Sequence, residues 1–398
     1  MDTFGDFLTK NPVVIDNGSG IIRAGIAGED KAKLQFDSYI GRPKYKMVLP
    51  TNTQSDYYLG NISDEQRGLL KLQYPINHGI IQNWNDMDLI WKYCYSELKV
   101  SAKEYPVLLT EPAINPINHK FRVAQQFFEN FNAPALFIAV QGVLSLFASG
   151  KTTGVVVEIG DGVSQIVPVF DGYSLQYAQQ RIDLGGRDIT EHLNLLLRRS
   201  GYFFHTSAEM EIIKKIKEKK CFVSLVSQTD DKIFEERKIT DQVSLPDGNQ
   251  ISLTFEKSRA AEILFNPSII GLEYPSISEL LIRSIQKVDI DLRNTLYQEL
   301  VISGGCTKLK DFPNRFVNEV KKSIPKAQKL RAYSPENRED LCWIGGSILS
   351  NLASFKNMWI TKAVRNINNQ FLICNFYLIQ IKKEYEEQGE RILLKKSF

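Results

Sequence analysis

The chain has 398 residues, room for roughly two to three domain-sized units with cores of their own, which excludes a disulfide miniprotein or a lone binding module. Its 43% hydrophobic and 24% charged residues are those of a folded globular protein, neither disordered nor coiled-coil. Lysine and arginine total 49 against 46 acids, a net charge of +3, so no nucleic acid or acidic membrane is expected as the main partner.

The first segment, MDTFGDFLTK, has neither the basic start nor the apolar stretch of a signal peptide, and a cytoplasmic location is expected. Val13–Gly20 (VVIDNGSG) runs from β-branched residues to an acid and a Gly-x-Gly turn, then continues as IIRAGIAG, the pattern of a strand, tight turn and returning strand. Gly41 to Gly60, rich in Pro, Lys, Asn, Thr and Tyr with little period, reads as an exposed excursion. Apolar spacing predicts helices over Asp86–Leu98, Lys120–Asn130 and Val143–Ala148, with strands at Pro106–Thr110, Ala135–Val140 and Leu300–Ser303. Val156–Val163 (VVEIGDGV), followed by SQIVPVFDG, repeats the opening pattern roughly 140 residues on. Thr206 and Glu209 form a capping box for a helix near Ala208–Phe222, with Ile212, Ile213 and Ile216 on its apolar face. The most apolar window, Gln370–Ile381, falls short of the ~18–20 residues that span a bilayer, so no direct membrane insertion is expected. Cys94, Cys221, Cys306, Cys342 and Cys374 show no CxxC spacing and fit a reducing compartment.

The repeat implies a duplicated α/β core, helices packed on mixed sheets, with one acid-tipped hairpin in each half facing a cleft. Backbone N–H groups in a Gly turn point into one concavity and bind phosphate oxygens, and the missing side chains let a polyanion approach. Asp16-Asn17-Gly18-Ser19-Gly20 alone is equally an ordinary hairpin turn; paired with Gly160-Asp161-Gly162 it can pinch a triphosphate, Asp16 and Asp161 holding Mg²⁺ through its waters. Gly185-Gly186, Gly304-Gly305 and Gly345-Gly346 are further close-approach points, each of which alone is more often packing. Gly150-Lys151-Thr152 is not a P-loop, because Ser145 stands where that motif needs glycine, and neither Gly-x-Gly has the third glycine of a Rossmann fingerprint.

VVIDNGSGIIRAGIAG, YPINHGIIQNWNDMDLIW, PVLLTEPAINP, TTGVVVEIGDGV, KIKEKKCFVSL, VISGG and WIGGSIL together resemble the actin superfamily over nearly the whole chain. Within it, the absence of an acidic N-terminal cluster, the segment GRPKYKMVLPTNTQSDYYLG, YFFHTSAEMEIIKKIKE and QKVDIDLRNTLY resemble the centractin subfamily, the actin-related subunits of the dynactin minifilament. The resemblance implies the duplicated bilobal ATPase fold shared by actin, heat-shock proteins and sugar kinases, in four subdomains. The first takes 1–37, 75–148 and 341–398, the second 38–74, the third 149–184 and 273–340, and the fourth 185–272. It implies ATP or ADP with Mg²⁺ as ligand.

Carried over by position, Gly18, Ser19, Gly20 and Arg23 would face the phosphates, with Gly160, Asp161, Gly162 and Val163 as the second clasp. Asp16, Glu158 and Asp161 would hold Mg²⁺ through water, and Gly186, Lys217, Glu218, Gly304 and Gly305 would border the adenosine. Gln141 would position the attacking water, and Tyr74 to His78 would sense nucleotide state. Arg23 replaces the usual Lys, Glu158 an Asp, Glu339 a Lys, and Gln165 the His that orders the lytic water. Losing such a group commonly costs ~10²–10⁴ in rate, so ATP is expected to bind and to be hydrolysed slowly.

The implied function is a subunit that assembles into a short filament, with dynactin subunits and dynein adaptors as partners in microtubule-based transport in the cytoplasm and cytoskeleton. A divergent conventional actin and, less readily, a sugar-kinase-type phosphotransferase are the alternatives. Phe265 to Leu272 resembles the apolar plug between lobes, and Tyr45, Met47, Val48 and Leu49 are candidates for a longitudinal contact. Ala363 to Lys382 interrupts the family pattern and reads as either an insertion or a translated intron.

Overall fold

The computed structural model describes residues 10–45, 56–226 and 240–361. Met47, Val48, Leu49 and the segment 363–382 with Cys374 lie outside the described residues.

The strand Val13–Asn17 pairs antiparallel with Ile21–Ile26, placing Asp16 opposite Arg23, and parallel with Val107–Glu111, which in turn runs parallel to Ala135–Val140. In the second half, Gly154–Ile159 pairs antiparallel with Ser164–Phe170, placing Glu158 opposite Gln165, and parallel with Leu300–Ser303, which runs parallel to Ala332–Tyr333. Order and direction are the same in both sheets, so the repeated hairpins are the first strands of two copies of one unit. Val13, Val14 and Ile15, and Val155, Val156 and Val157, are all fully buried. Central strands covered on both faces need such continuous β-branched runs, which is why the pattern showed in the sequence.

Each half closes on the other's sheet. Helix Gln141–Ala148 follows the last parallel strand of the first half, yet Val143 and Leu146 pack among Val156, Val167 and Val301 of the second. Helix Leu341–Asn351 follows the second half and packs Trp343 and Leu349 against Val14 and Leu108 of the first, with Trp343 Nε1 donating to the Val14 carbonyl at 3.1 Å. The two helices touch backbone to backbone: a Cβ on Gly345 would collide with the Leu144 carbonyl. Glycine at 345 thus serves packing.

Most expected elements form. Trp84–Leu98 begins behind an Asn83 cap, whose Oδ1 accepts from the Asp86 N–H at 3.2 Å, and ends at Lys99 with φ 56°. Ser207–Lys220 carries the capping box: Thr206 Oγ1 accepts from the Glu209 N–H at 3.2 Å, and the Glu209 carboxylate from the Thr206 N–H at 2.8 Å. The helix expected over Lys120–Asn130 divides instead into Ile117–Gln125 and a wider π-type turn, Gln126–Asn130. The wide turn buries both Phe127 and Phe128, with the Phe127 ring 4.9 Å from Trp91.

The excursion after Gly41 opens as a strand. Ile40–Pro43 pairs with Leu70–Gln73 over a small core of Tyr39, Ile62, Leu70 and Leu72. Four residues are too few to register as a period. Tyr45 is 73% exposed. In the segment 265–272, Pro267–Ile270 forms a 3₁₀ turn ended by Gly271 at φ 79°, with Ser268 and Ile269 exposed and the Phe265 ring under the Arg315 guanidinium at 4.7 Å. No described helix is long and apolar enough to cross a membrane.

Candidate functional site

A cavity of about 400 Å³ lies between the two hairpins. Asp16, Gly18, Ser19, Gly20, Arg23, Gln141, Glu158, Gly160, Asp161, Gly162, Val163, Gln165, Lys217, Glu218, Gly304 and Gly305 all line it. Gly186 does not. It sits behind the wall, its carbonyl accepting from Lys217 Nζ at 2.9 Å, and a Cβ there would lie 2.5 Å from Cys306 Sγ.

The hairpin tips interlock. A Cβ on Gly20 would lie 2.7 Å from the Asp161 Cβ, and one on Gly162 would lie 2.8 Å from Ser19 Oγ. Each tip is glycine because the other tip's side chain occupies the space. At Gly305, by contrast, a Cβ meets nothing within 4 Å. Gly304, at φ 94°, would strike the Ile159 backbone with any side chain.

The floor carries the acids. Asp16 Oδ1 accepts from Thr110 Oγ1 at 2.6 Å and from Gln141 Nε2 at 3.2 Å, and faces Cys342 Sγ at 3.3 Å. Gln165 Nε2 donates to Glu158 at 2.9 Å, while its Oε1 accepts from the Ala113 N–H at 2.6 Å. Burial and then the Asp16 carboxylate push the Glu158 carboxyl up to about 8, against the opposing pull of the Gln165 amide. Burial likewise pushes the Cys306 thiol up to about 12 and raises that of Cys342. Both are poor nucleophiles as a result.

These residues fit a magnesium–nucleotide complex. Two buried carboxylates sit close enough to repel, and among the described residues neither joins an ion pair. Their oxygens, the Asp161 carboxylate and the Gln141 amide all line the cavity as hard donors of the kind a hydrated Mg²⁺ takes. No three acids among the described residues lie close enough together to ligate an ion directly, so the fit is to an ion that keeps its waters. The glycine tips supply backbone for phosphate oxygens. On the outer wall, Lys308 pairs with Glu339, and Arg23 Nε donates to Asp340 Oδ1 at 2.6 Å.

Several ties across the cleft were invisible in the sequence. Arg187 Nη2 donates to the Ser19 carbonyl at 3.0 Å and to Asp161 Oδ2 at 3.3 Å, joining both hairpins, and its guanidinium covers the Tyr74 ring at 4.3 Å. The Tyr74 hydroxyl donates to Glu211, and Lys214 Nζ to Asp37 at 2.7 Å. His78 Nδ1 lies 2.8 Å from the Gly162 carbonyl, and Arg181 donates to the His78 carbonyl at 2.6 Å. Tyr74 and His78 lie at the ends of the segment expected to sense nucleotide, and Arg187 directly follows Gly185-Gly186, but their partners had no signal, nor had Thr110, Lys214 or Lys308.

The chain matches the actin family model over residues 8–364. It belongs to the actin family. It is 47% identical over 363 residues to the "Actin-like protein" of Neurospora crassa, a match covering 89% of this chain and 95% of that one. The actin family binds ATP with Mg²⁺, and its members often polymerise. In this actin-related chain, the two matching sheets and the cleft between them are consistent with the actin fold.

Proposed function

We propose that this chain is an ATP-binding, filament-forming actin-related subunit of the centractin type, working in dynactin for dynein-driven transport along microtubules. The observation that carries the nucleotide part is the reciprocal fit of Gly20 against Asp161 and Gly162 against Ser19 around a cavity floored by Asp16 and Glu158. Four subdomains, divided at the boundaries expected from the sequence, accompany this reading.

Asp16, Glu158 and Asp161 would hold Mg²⁺ through its waters, and a bound cation would offset the negative charge of the phosphates and of these acids. Ser19, Gly20, Gly162 and Val163 offer backbone to the phosphates, and Arg23 adds a cation. Lys217, Glu218, Gly304 and Gly305 border the nucleoside. Gln141 orients a water. Gln165 has an amide, which takes no proton at neutral pH, and both its ends are already bound to Ala113 and Glu158. Hydrolysis is therefore slow, and the nucleotide mainly sets the closed shape that polymerises.

The centractin assignment rests on the sequence blocks that depart from conventional actin. Affinity purification from the native cell tests it: dynactin subunits should co-purify, and negative stain should show short filaments of uniform length. Long filaments without dynactin subunits indicate a divergent conventional actin instead.

A further inference from the structure

We infer that Asp340 is a positioning residue that aims the Arg23 guanidinium at the phosphates of a nucleoside di- or triphosphate, an inference that rests on the nucleotide reading above. Arg23 lines the cavity and is only 7% exposed. Among the described residues its side chain makes one hydrogen bond, from Nε to Asp340 Oδ1 at 2.6 Å. The two terminal nitrogens are left for a ligand. A guanidinium held at Nε presents the other two nitrogens as a planar fork, the geometry that meets two phosphate oxygens together.

Asp340 is itself firmly placed. It directly precedes the crossing helix Leu341–Asn351, and its carbonyl accepts from the Ile344 N–H at 3.0 Å. Two residues earlier, Arg338 donates to Thr307 Oγ1 and to the Thr307 carbonyl, each at 3.0 Å, while its own carbonyl accepts from the Gly304 N–H at 3.0 Å. The segment before the helix is thereby tied to the glycine turn of the cleft. A carboxylate carried on a fixed backbone limits where the fork can point, although the Asp340 side chain itself is 35% exposed.

The register gives Asp340 a second effect. Arg23 stands opposite Asp16 across the hairpin, on the same face of the sheet. Held by Asp340, the guanidinium is kept off Asp16, which stays available to a cation. Released, it has Asp16 as a competing partner and weakens both phosphate and Mg²⁺ binding.

Arginine and lysine then differ in a specific way. A lysine ammonium falls one bond beyond the Arg Nε that contacts Asp340, within reach of the carboxylate, so in Arg23→Lys the acid draws the single charge away from the phosphates. Removing the acid should therefore harm the natural chain but help the lysine variant.

The test measures equilibrium binding of ATP, ADP and adenosine, with Mg²⁺, to the full chain and to Asp340→Ala, Asp340→Glu, Arg23→Lys and the double variant Arg23→Lys with Asp340→Ala. Asp340→Ala should lower ATP and ADP affinity by about 10- to 100-fold, the scale of one charged hydrogen-bonding group, and leave adenosine unchanged. Asp340→Glu should restore most of the loss. The double variant should bind ADP more tightly than Arg23→Lys alone, an inversion that a merely structural role for Asp340 does not produce. If Asp340→Ala does not fold, the comparison of Arg23→Lys with and without Asp340→Asn carries the same inversion. Equal loss for adenosine and ADP, or simple additivity in the double variant, overturns the role of Asp340. Failure of the unaltered chain to bind any of the three ligands overturns the nucleotide reading itself.

Discussion

Gly20 and Asp161 meet across the cleft so closely that a single added carbon on the glycine would lie 2.7 Å from the aspartate Cβ. Their sequence positions belong to opposite halves of the duplicated core, so this contact exists only when the halves are closed. Gly20→Ala and Gly162→Ala should each prise the hairpins apart and lower ATP affinity at least tenfold, with little change in circular dichroism. Gly68→Ala is the control, because a Cβ there meets nothing within 4 Å. It should leave binding intact.

The cleft is also tied at its far edge, where the hydroxyl of the half-buried Tyr74 donates to Glu211. Burial and the Glu211 carboxylate raise the Tyr74 phenol well above its ordinary value, so it stays a donor. Glu211→Ala leaves that hydroxyl without its acceptor, a cost of about 1–3 kcal/mol. Thermal unfolding of the ligand-free protein should show a lower midpoint, and hydrogen exchange should rise at Leu72, whose N–H is bonded to Ser207 Oγ at 3.1 Å.

The hairpins, the strands and the capping box were legible because each is local: β-branched runs, Gly-x-Gly turns and Thr206 with Glu209 all signal within a few residues. Resemblance supplied the cavity-lining residues other than those hairpins. What escaped is long-range. Arg187 reaches Ser19, Lys214 reaches Asp37 and Trp343 reaches Val14, and no spacing along the chain encodes such pairs. Gly345 shows the same limit, since only the crossing of two helices from different halves explains it. The break after Gln125 was missed because one extra residue in a turn keeps the residues helical while rotating Phe127 and Phe128 inward.

His192 sets an acid limit on the fold. It is 6% exposed in the second half's core, its Nδ1 3.2 Å from the Ala260 carbonyl, and burial holds its imidazole below the ordinary 6.5. Above 6.5 both folded and unfolded states are neutral at this site. As pH falls through 6.5 the unfolded chain takes up the proton first, and stability is lost until the depressed folded value is passed. Urea unfolding followed from about pH 7.5 to 5 should decline, and His192→Gln should flatten that decline.

Gln165 is the residue to change for hydrolysis. Gln165→His puts a basic nitrogen beside Gln141, whose Oε1 lies 3.5 Å from Gln165 Nε2. Phosphate release per bound ATP should rise by about 10- to 100-fold in single-turnover assays. An unchanged rate would show that the slow step lies elsewhere.

Nucleotide binding itself is the claim on which the rest stands, and titration with a fluorescent ATP analogue in the presence of Mg²⁺ tests it most directly. One equivalent should bind, ATP should displace it, and Asp161→Ala should weaken binding at least tenfold. No binding by the unaltered chain, or full binding after Asp161→Ala, would contradict the account.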